Sequence, residues 1–198
     1  MTTQTLPDLR PALGAAMDQI DRLLAAAPAG VGDQPTPCSD YDVSELVGHL
    51  QGVVRRIGVV MSGEPFHLAP AHVDSTEWLA DWRSGRAGTE AVLADDASLA
   101  RDVSVPWGTV PGGAALGGYV GELTVHAWDL ARAIGREDLL VDDLAEASLP
   151  PYREVLPADA RGGPIPFGPV VEVDEDAGAY ARLVAWTGRD PKWPVNLG

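Results

Sequence analysis

Apolar side chains recur at the spacing of a helix face along most of this chain. Between Leu9 and Ala27 they fall at Leu13, Met17, Ile20, Leu23 and Leu24, and Pro28 with Gly30 closes the segment. A polar turn runs from Gly32 to Tyr41. The second helix opens at Asp42, which can cap it while Glu45 reaches back, the D-x-x-E form of a capping box. Val43, Leu46, Val47, Leu50, Val53, Val54, Ile57, Val60 and Met61 supply its stripe, and Gly63 with Pro65 ends it. After a loop containing His67 and His72, the residues Trp78, Leu79, Trp82, Val92 and Leu93 predict a third helix over about Ser75 to Ala94, weakened by Gly85 and Gly88. Val103 to Gly113 reads as an extended loop, and a fourth long helix spans about Ala115 to Ile134, with Gly135 as its stop.

The remainder differs in kind. A shorter helix starts at Asp142 and ends before Pro150. Gly162 to Pro169 is too rich in proline and glycine for a helix, Val170 to Val173 suggests a short strand, and a last helix covers about Glu175 to Trp186. The fold class expected is therefore mainly α. Four longer helices form a bundle over about residues 1–155, and a short irregular C-terminal extension follows over about 156–198, all in one domain.

Composition narrows the partners. Fourteen basic against 29 acidic residues give a formal net charge of -15, which repels phosphate backbones and anionic lipid, so neither nucleic acid nor membrane is expected as a partner. No apolar run approaches the roughly 18 residues of a membrane span, and the N-terminus has no basic-then-apolar signal, so a soluble, cytoplasmic protein is expected. The single cysteine, Cys38, excludes a disulfide framework and a multi-thiolate zinc site and suits a reducing compartment. It lies in a Pro-rich turn with no base nearby in sequence and reads as an inert buried thiol. No Gly-rich nucleotide loop is present.

The chemistry concentrates on the fourth long helix. Glu122 and His126 are four apart, one turn above each other with β-carbons about 6 Å apart, so both can close on one cation. Tyr119 and Asp129 fall on the same face, within a sector of about 80°. The second helix adds His49, set among Leu46, Leu50 and Val53 and so pointing inward. Facing helices of a bundle build metal sites in this way. An isolated inward histidine is commonly a hydrogen-bonded core residue, and Glu-x-x-x-His is commonly an exposed pair worth ~0.2–0.5 kcal/mol. Against that stand the apolar neighbours of Glu122 and His126, among which unpaired charge would be costly. His49, Glu122 and His126 would make a His₂Glu site with open coordination positions, the arrangement of a catalytic metal. Zinc suits this donor set first, and nickel or iron(II) also fit. His67 and His72 read as solvated loop residues.

Three segments carry a resemblance. They are Thr36-Pro37-Cys38-Ser39-Asp40-Tyr41-Asp42-Val43 leading to Leu46-Val47-Gly48-His49-Leu50, then Glu122-Leu123-Thr124-Val125-His126-Ala127-Trp128-Asp129-Leu130-Ala131, and the tail Phe167-Gly168-Pro169 with Thr187-Gly188-Arg189-Asp190-Pro191. In these the chain resembles the DinB-like metal-binding superfamily, and within it the mycothiol-dependent maleylpyruvate isomerase N-terminal-domain group. The resemblance implies a four-helix bundle whose metal is held by His49, Glu122 and His126, with Asp129 behind the ligands or anchoring the helix. A homodimer is a further expectation from the resemblance. The isomerase usually carries another C-terminal domain; here a Pro/Gly-rich break and a short tail follow, so the motifs specify fold and metal site more than substrate.

The function expected is that of a metal-dependent enzyme using a low-molecular-weight thiol, a mycothiol-type S-transferase or isomerase acting on a small molecule. Tyr119 would donate a proton or hydrogen bond, and Arg56 (or Arg55) would receive a carboxylate. The same ligands serve a metal-dependent hydrolase, or a non-catalytic dimeric bundle that binds metal or ligand.

Overall fold

A computed structural model describes residues 7–159, 161 and 167–194. Helix α1 (Arg10–Ala26) buries Leu13, Met17, Ile20 and Leu23 and stops where Ala27, ahead of Pro28, turns extended. Helix α2 (Val43–Met61) starts on a complete capping box. The Glu45 N–H donates to Asp42 Oδ1 at 2.8 Å, and the Asp42 N–H donates to Glu45 Oε2 at 3.0 Å. Its whole apolar stripe is buried.

Helix α3 (Trp78–Leu93) begins three residues later than its periodicity suggested. Ser75 diverts the chain into a turn, its hydroxyl accepting the Glu77 N–H and its carbonyl accepting the Trp78 indole N–H. Of the glycines that weaken the helical pattern, Gly85 serves close approach while Gly88 faces open space. Gly85 lies against Val54 and Arg55 of α2, and a β-carbon at Gly58 would crowd Thr89, whose hydroxyl donates to the Val54 carbonyl at 2.5 Å.

After a single turn, α4 (Ala97–Ala100), the stretch read as an extended loop is paired. Strands β1 (Asp102–Val105) and β2 (Gly108–Pro111) form an antiparallel hairpin in the register Val103↔Val110 and Val105↔Gly108. Val103 and Val105 face the core while Asp102 and Ser104 face out, and the two-residue connection places Trp107 at the tip. Helix α5 (Gly112–Ile134) then starts three residues earlier than expected, at Gly112, where the Ser98 carbonyl presses so close that only a glycine fits. It ends on Gly135 in the left-handed region (φ 67°), with the Arg136 N–H returning to the Ala131 carbonyl.

These elements make a mainly helical molecule. α1, α3, α2 and α5 stand in a ring, each packed on the next, around one core. Helix α5 is apolar on nearly every side because it serves two cores. Val125 and Trp128 meet Ala145 and Leu149 of α6 (Asp142–Val155) and Leu183 and Val184 of α7 (Ala179–Trp186) in a second, smaller cluster. The buried Gln19 of α1 joins the layers: its carbonyl accepts the Val141 N–H at 2.6 Å, and its amide donates to the Tyr180 hydroxyl at 2.9 Å.

Three expectations for the C-terminal part of the chain are corrected. Helix α6 does not end before Pro150 but runs through Pro150 and Pro151 to Val155. Both prolines are on the solvent side, and the carbonyls they free belong to the exposed Glu146 and Ala147, where water can take the missing bonds. Val170–Val173 forms no strand; Val171 donates a lone bond to the Ala185 carbonyl. The last helix starts at Ala179, after a turn closed by the Ala177 N–H on the Asp174 carbonyl. Of the Pro/Gly-rich break, residues 162–166 lie outside the described residues, and 167–169 are not helical.

Candidate functional site

α2 and α5 are neighbours in the ring, and their contact brings His49 to Glu122 and His126. His49 Nε2 lies 3.5 Å from Glu122 Oε1. The His49 and His126 rings meet edge to face with centroids 4.9 Å apart. Among the described residues His49 Nε2 is buried without a hydrogen-bond partner, an unmet donor or acceptor aimed at the Glu122 carboxylate. The Tyr41 ring stacks on His49 at 5.2 Å, its hydroxyl 3.5 Å from Nδ1. Arg56 approaches Glu122 Oε1 at 3.9 Å. Arg55 is turned away, tying α2 to α3 through the Gln51 and Asp81 carbonyls.

Tyr119 and Asp129 end this polar face and are both fully buried. The Tyr119 hydroxyl has no partner among the described residues, and its ring meets Trp107 of the hairpin at 5.5 Å. Trp107 also covers Gly118 and is half-exposed, so it borders the site from the hairpin side. Asp129 accepts from His126 Nδ1 at 2.9 Å and from Arg189 Nε and Nη2 at 2.7 and 2.8 Å. Tyr152 of α6 lies over Gly121, where no β-carbon would fit.

Charge at the site is set by these contacts. Burial alone would raise the Glu122 carboxyl, but His49 beside it, with His126 and Arg56, holds it below the usual carboxylate range. Burial pushes the His126 imidazole below its ordinary value against the pull of Asp129, so the ring is neutral near pH 7. Asp129 is lowered because Arg189 and His126 outweigh its desolvation. Burial and the nearby Glu122 charge push the Tyr119 phenol up, which leaves it a proton donor. Burial and Asp129 likewise push the Cys38 thiol up.

Among the described residues, Cys38, His126 and Asp129 are the one triple of potential ligands whose donor atoms all lie within 4.8 Å of one another. Their chemistry argues against a metal there. Both Asp129 oxygens are committed to a guanidinium, which leaves that carboxylate poorly placed to close on a cation. The His49, Glu122 and His126 set has the better donors, two imidazole nitrogens and an ionised carboxylate, and the unpartnered His49 nitrogen among them. Its atoms do not all fall inside that radius as the side chains stand. His72 rests over Gly48 with Nε2 3.1 Å from Asp74, and His67 lies against Phe66.

Residues 13–131 match the family model of the mycothiol maleylpyruvate isomerase N-terminal domain. The chain belongs to that family. The matched stretch of this mycothiol maleylpyruvate isomerase N-terminal-domain protein takes in most of α1, all of α2 and α3 and nearly all of α5, with His49, Glu122, His126 and Asp129. Two uncharacterized proteins of Mycobacterium tuberculosis, one from each of two strains, are each 28% identical to it over 174 residues, 88% of this chain and 93% of theirs. The crystal structure of the mycothiol-dependent maleylpyruvate isomerase matches with a TM-score of 0.46 and 19% identity, covering 76% of this chain and 70% of that one.

Arg189, Tyr41 and Tyr152 were not read from the sequence as site residues. Tyr41 and Arg189 do stand inside the two motif segments, Thr36–Val43 and Thr187–Pro191, that carry the resemblance. Tyr152 gave no such signal, since its place depends on a helix that the prolines disguised.

Proposed function

We propose that this protein is a metal-dependent enzyme that uses a low-molecular-weight thiol of the mycothiol type in an S-transfer or isomerisation reaction. His49, Glu122 and His126 would hold one divalent cation, with zinc the first choice for two imidazoles and a carboxylate. The observation that carries this reading is the buried, unpartnered His49 Nε2 beside an ionised Glu122, on the helices the family match covers. When bound, such a cation supplies a Lewis acid that favours the thiolate form of a thiol at neutral pH.

The chain's own residues supply the rest. Glu122 and His49 retain partial solvent access, 22% and 15% of their side chains, which leaves a small thiol a way in. Tyr119, held protonated, donates a hydrogen bond to an acceptor oxygen of the small-molecule substrate and so polarises the electrophilic carbon beside it. Arg56 receives a substrate carboxylate; among the described residues its only ion-pair contact is Glu122, at 3.9 Å. Cys38 is given no role as the nucleophile: it is partly buried in the turn before α2, and burial raises its thiol.

The test is elemental analysis of protein purified without an affinity tag, followed by calorimetric titration with mycothiol. We expect about one equivalent of a transition metal per chain, lost in His126→Ala, and thiol binding by the metal-loaded form alone. Metal content unchanged in His126→Ala would overturn the ligand assignment. Equal thiol binding by metal-free protein would overturn the role of the metal.

A further inference from the structure

A largely buried ion pair joins the bundle to the extension. Asp129, with no exposed surface, receives a two-pronged contact from Arg189, whose side chain is 11% exposed. A carboxylate so engaged is acceptor-only, so the hydrogen between Asp129 Oδ2 and His126 Nδ1 belongs to the imidazole. His126 is thereby fixed as the Nδ1–H tautomer, with its Nε2 lone pair left free.

Arg189 is itself preorganised. At the end of α7 the Gly188 N–H returns to the Ala185 carbonyl and the Arg189 N–H to the Val184 carbonyl, with Gly188 at φ 87°. Gly188 lies so close to the Gly168 backbone that a β-carbon would fall 2.7 Å from it. Thr187 Oγ1 donates to the Val184 carbonyl at 2.9 Å and accepts from Arg189 Nη1 at 3.3 Å. The helix end, the glycine crossing and the threonine therefore aim one guanidinium at one carboxylate.

We propose that Arg189 is a positioning residue of the site. It holds Asp129, and through it the tautomer and ring orientation of His126, which makes the extension a working part of the site. The inference rests on reading His126 as a donor through Nε2. It predicts that loss of Arg189 releases the imidazole without removing any ligand.

The test is long-range proton–nitrogen correlation of the histidine rings in metal-free protein with ¹⁵N-labelled histidine near pH 7.5. His126→Ala assigns the His126 signals, and wild type is compared with Arg189→Gln and Arg189→Lys. We expect the Nδ1–H pattern in wild type, a tautomer mixture in R189Q and a partial return in R189K, which keeps the charge but not the fork. Zinc affinity, measured by competition with a chromogenic chelator, should fall about 10–100-fold in R189Q. A folded R189Q with the wild-type pattern and affinity overturns the proposal. If R189Q does not fold, an unchanged pattern and affinity in R189K overturn it equally. Wild-type protein that takes up no zinc, yet loses its fixed tautomer in R189Q, supports the positioning role while counting against the metal centre.

Discussion

Glu122, His126 and Asp129 all bind a proton more weakly in the folded chain than ordinary side chains do. A depressed folded pKa stabilises the native state above the unfolded pKa, and that stability is lost as pH falls through the shifted range. For His126 the loss begins below about pH 6.5, and for the two carboxylates below about pH 4. The urea midpoint of metal-free protein should therefore drop between pH 7 and 5, and His126→Gln should flatten that part of the profile. A midpoint constant over that range in wild type contradicts the assignment. Tyr119→Phe separates stability from chemistry at one atom. Its hydroxyl is buried without a partner, so the change should leave thermal stability equal or higher, while turnover with thiol and substrate falls by about 10²-fold or more. Unchanged turnover would remove Tyr119 from the reaction. The ligand candidates were legible in the sequence because helix periodicity alone sets Glu122 above His126 and turns His49 toward apolar neighbours. Arg189 was not, because its partner lies 60 residues away and a lone arginine in a tail carries no periodicity.

Elements governed by local rules were readable. The Asp42–Glu45 box, the Gly135 stop and the apolar stripes of α1 and α2 are written in a few adjacent residues each. The misread segments are those where contact with a distant part decides. Val103-Ser104-Val105 alternates as a strand should, yet it becomes one only by pairing with Thr109 and Val110. Helix α6 passes through two prolines because Leu149 and Leu156 are buried on its other side. That compromise is testable. Pro151→Ala restores an N–H to the exposed Ala147 carbonyl and should stabilise the protein by about 1–2 kcal/mol, the helix gain exceeding the lost rigidity of the unfolded chain. A lower melting temperature in this variant would show that the proline ring is required in place.

At the scale of the whole molecule, a charge of -15 sets strong self-repulsion against a well-filled core. Moderate salt should raise the melting temperature near neutral pH by screening it, and a fall would mean that specific ion pairs outweigh the net field. The four-helix ring followed from counting amphipathic segments. The second layer did not, since nothing local says that α5 must serve two cores. Gln19 ties those layers, its amide divided between the Val141 backbone and the Tyr180 hydroxyl. Detaching α6 and α7 would strand a polar side chain inside the bundle, so partial opening is penalised and the two layers should come apart as one cooperative unit. Native-state hydrogen exchange should accordingly give the amides of Leu183 and Ile20 nearly the same opening free energy, and Gln19→Leu should split them.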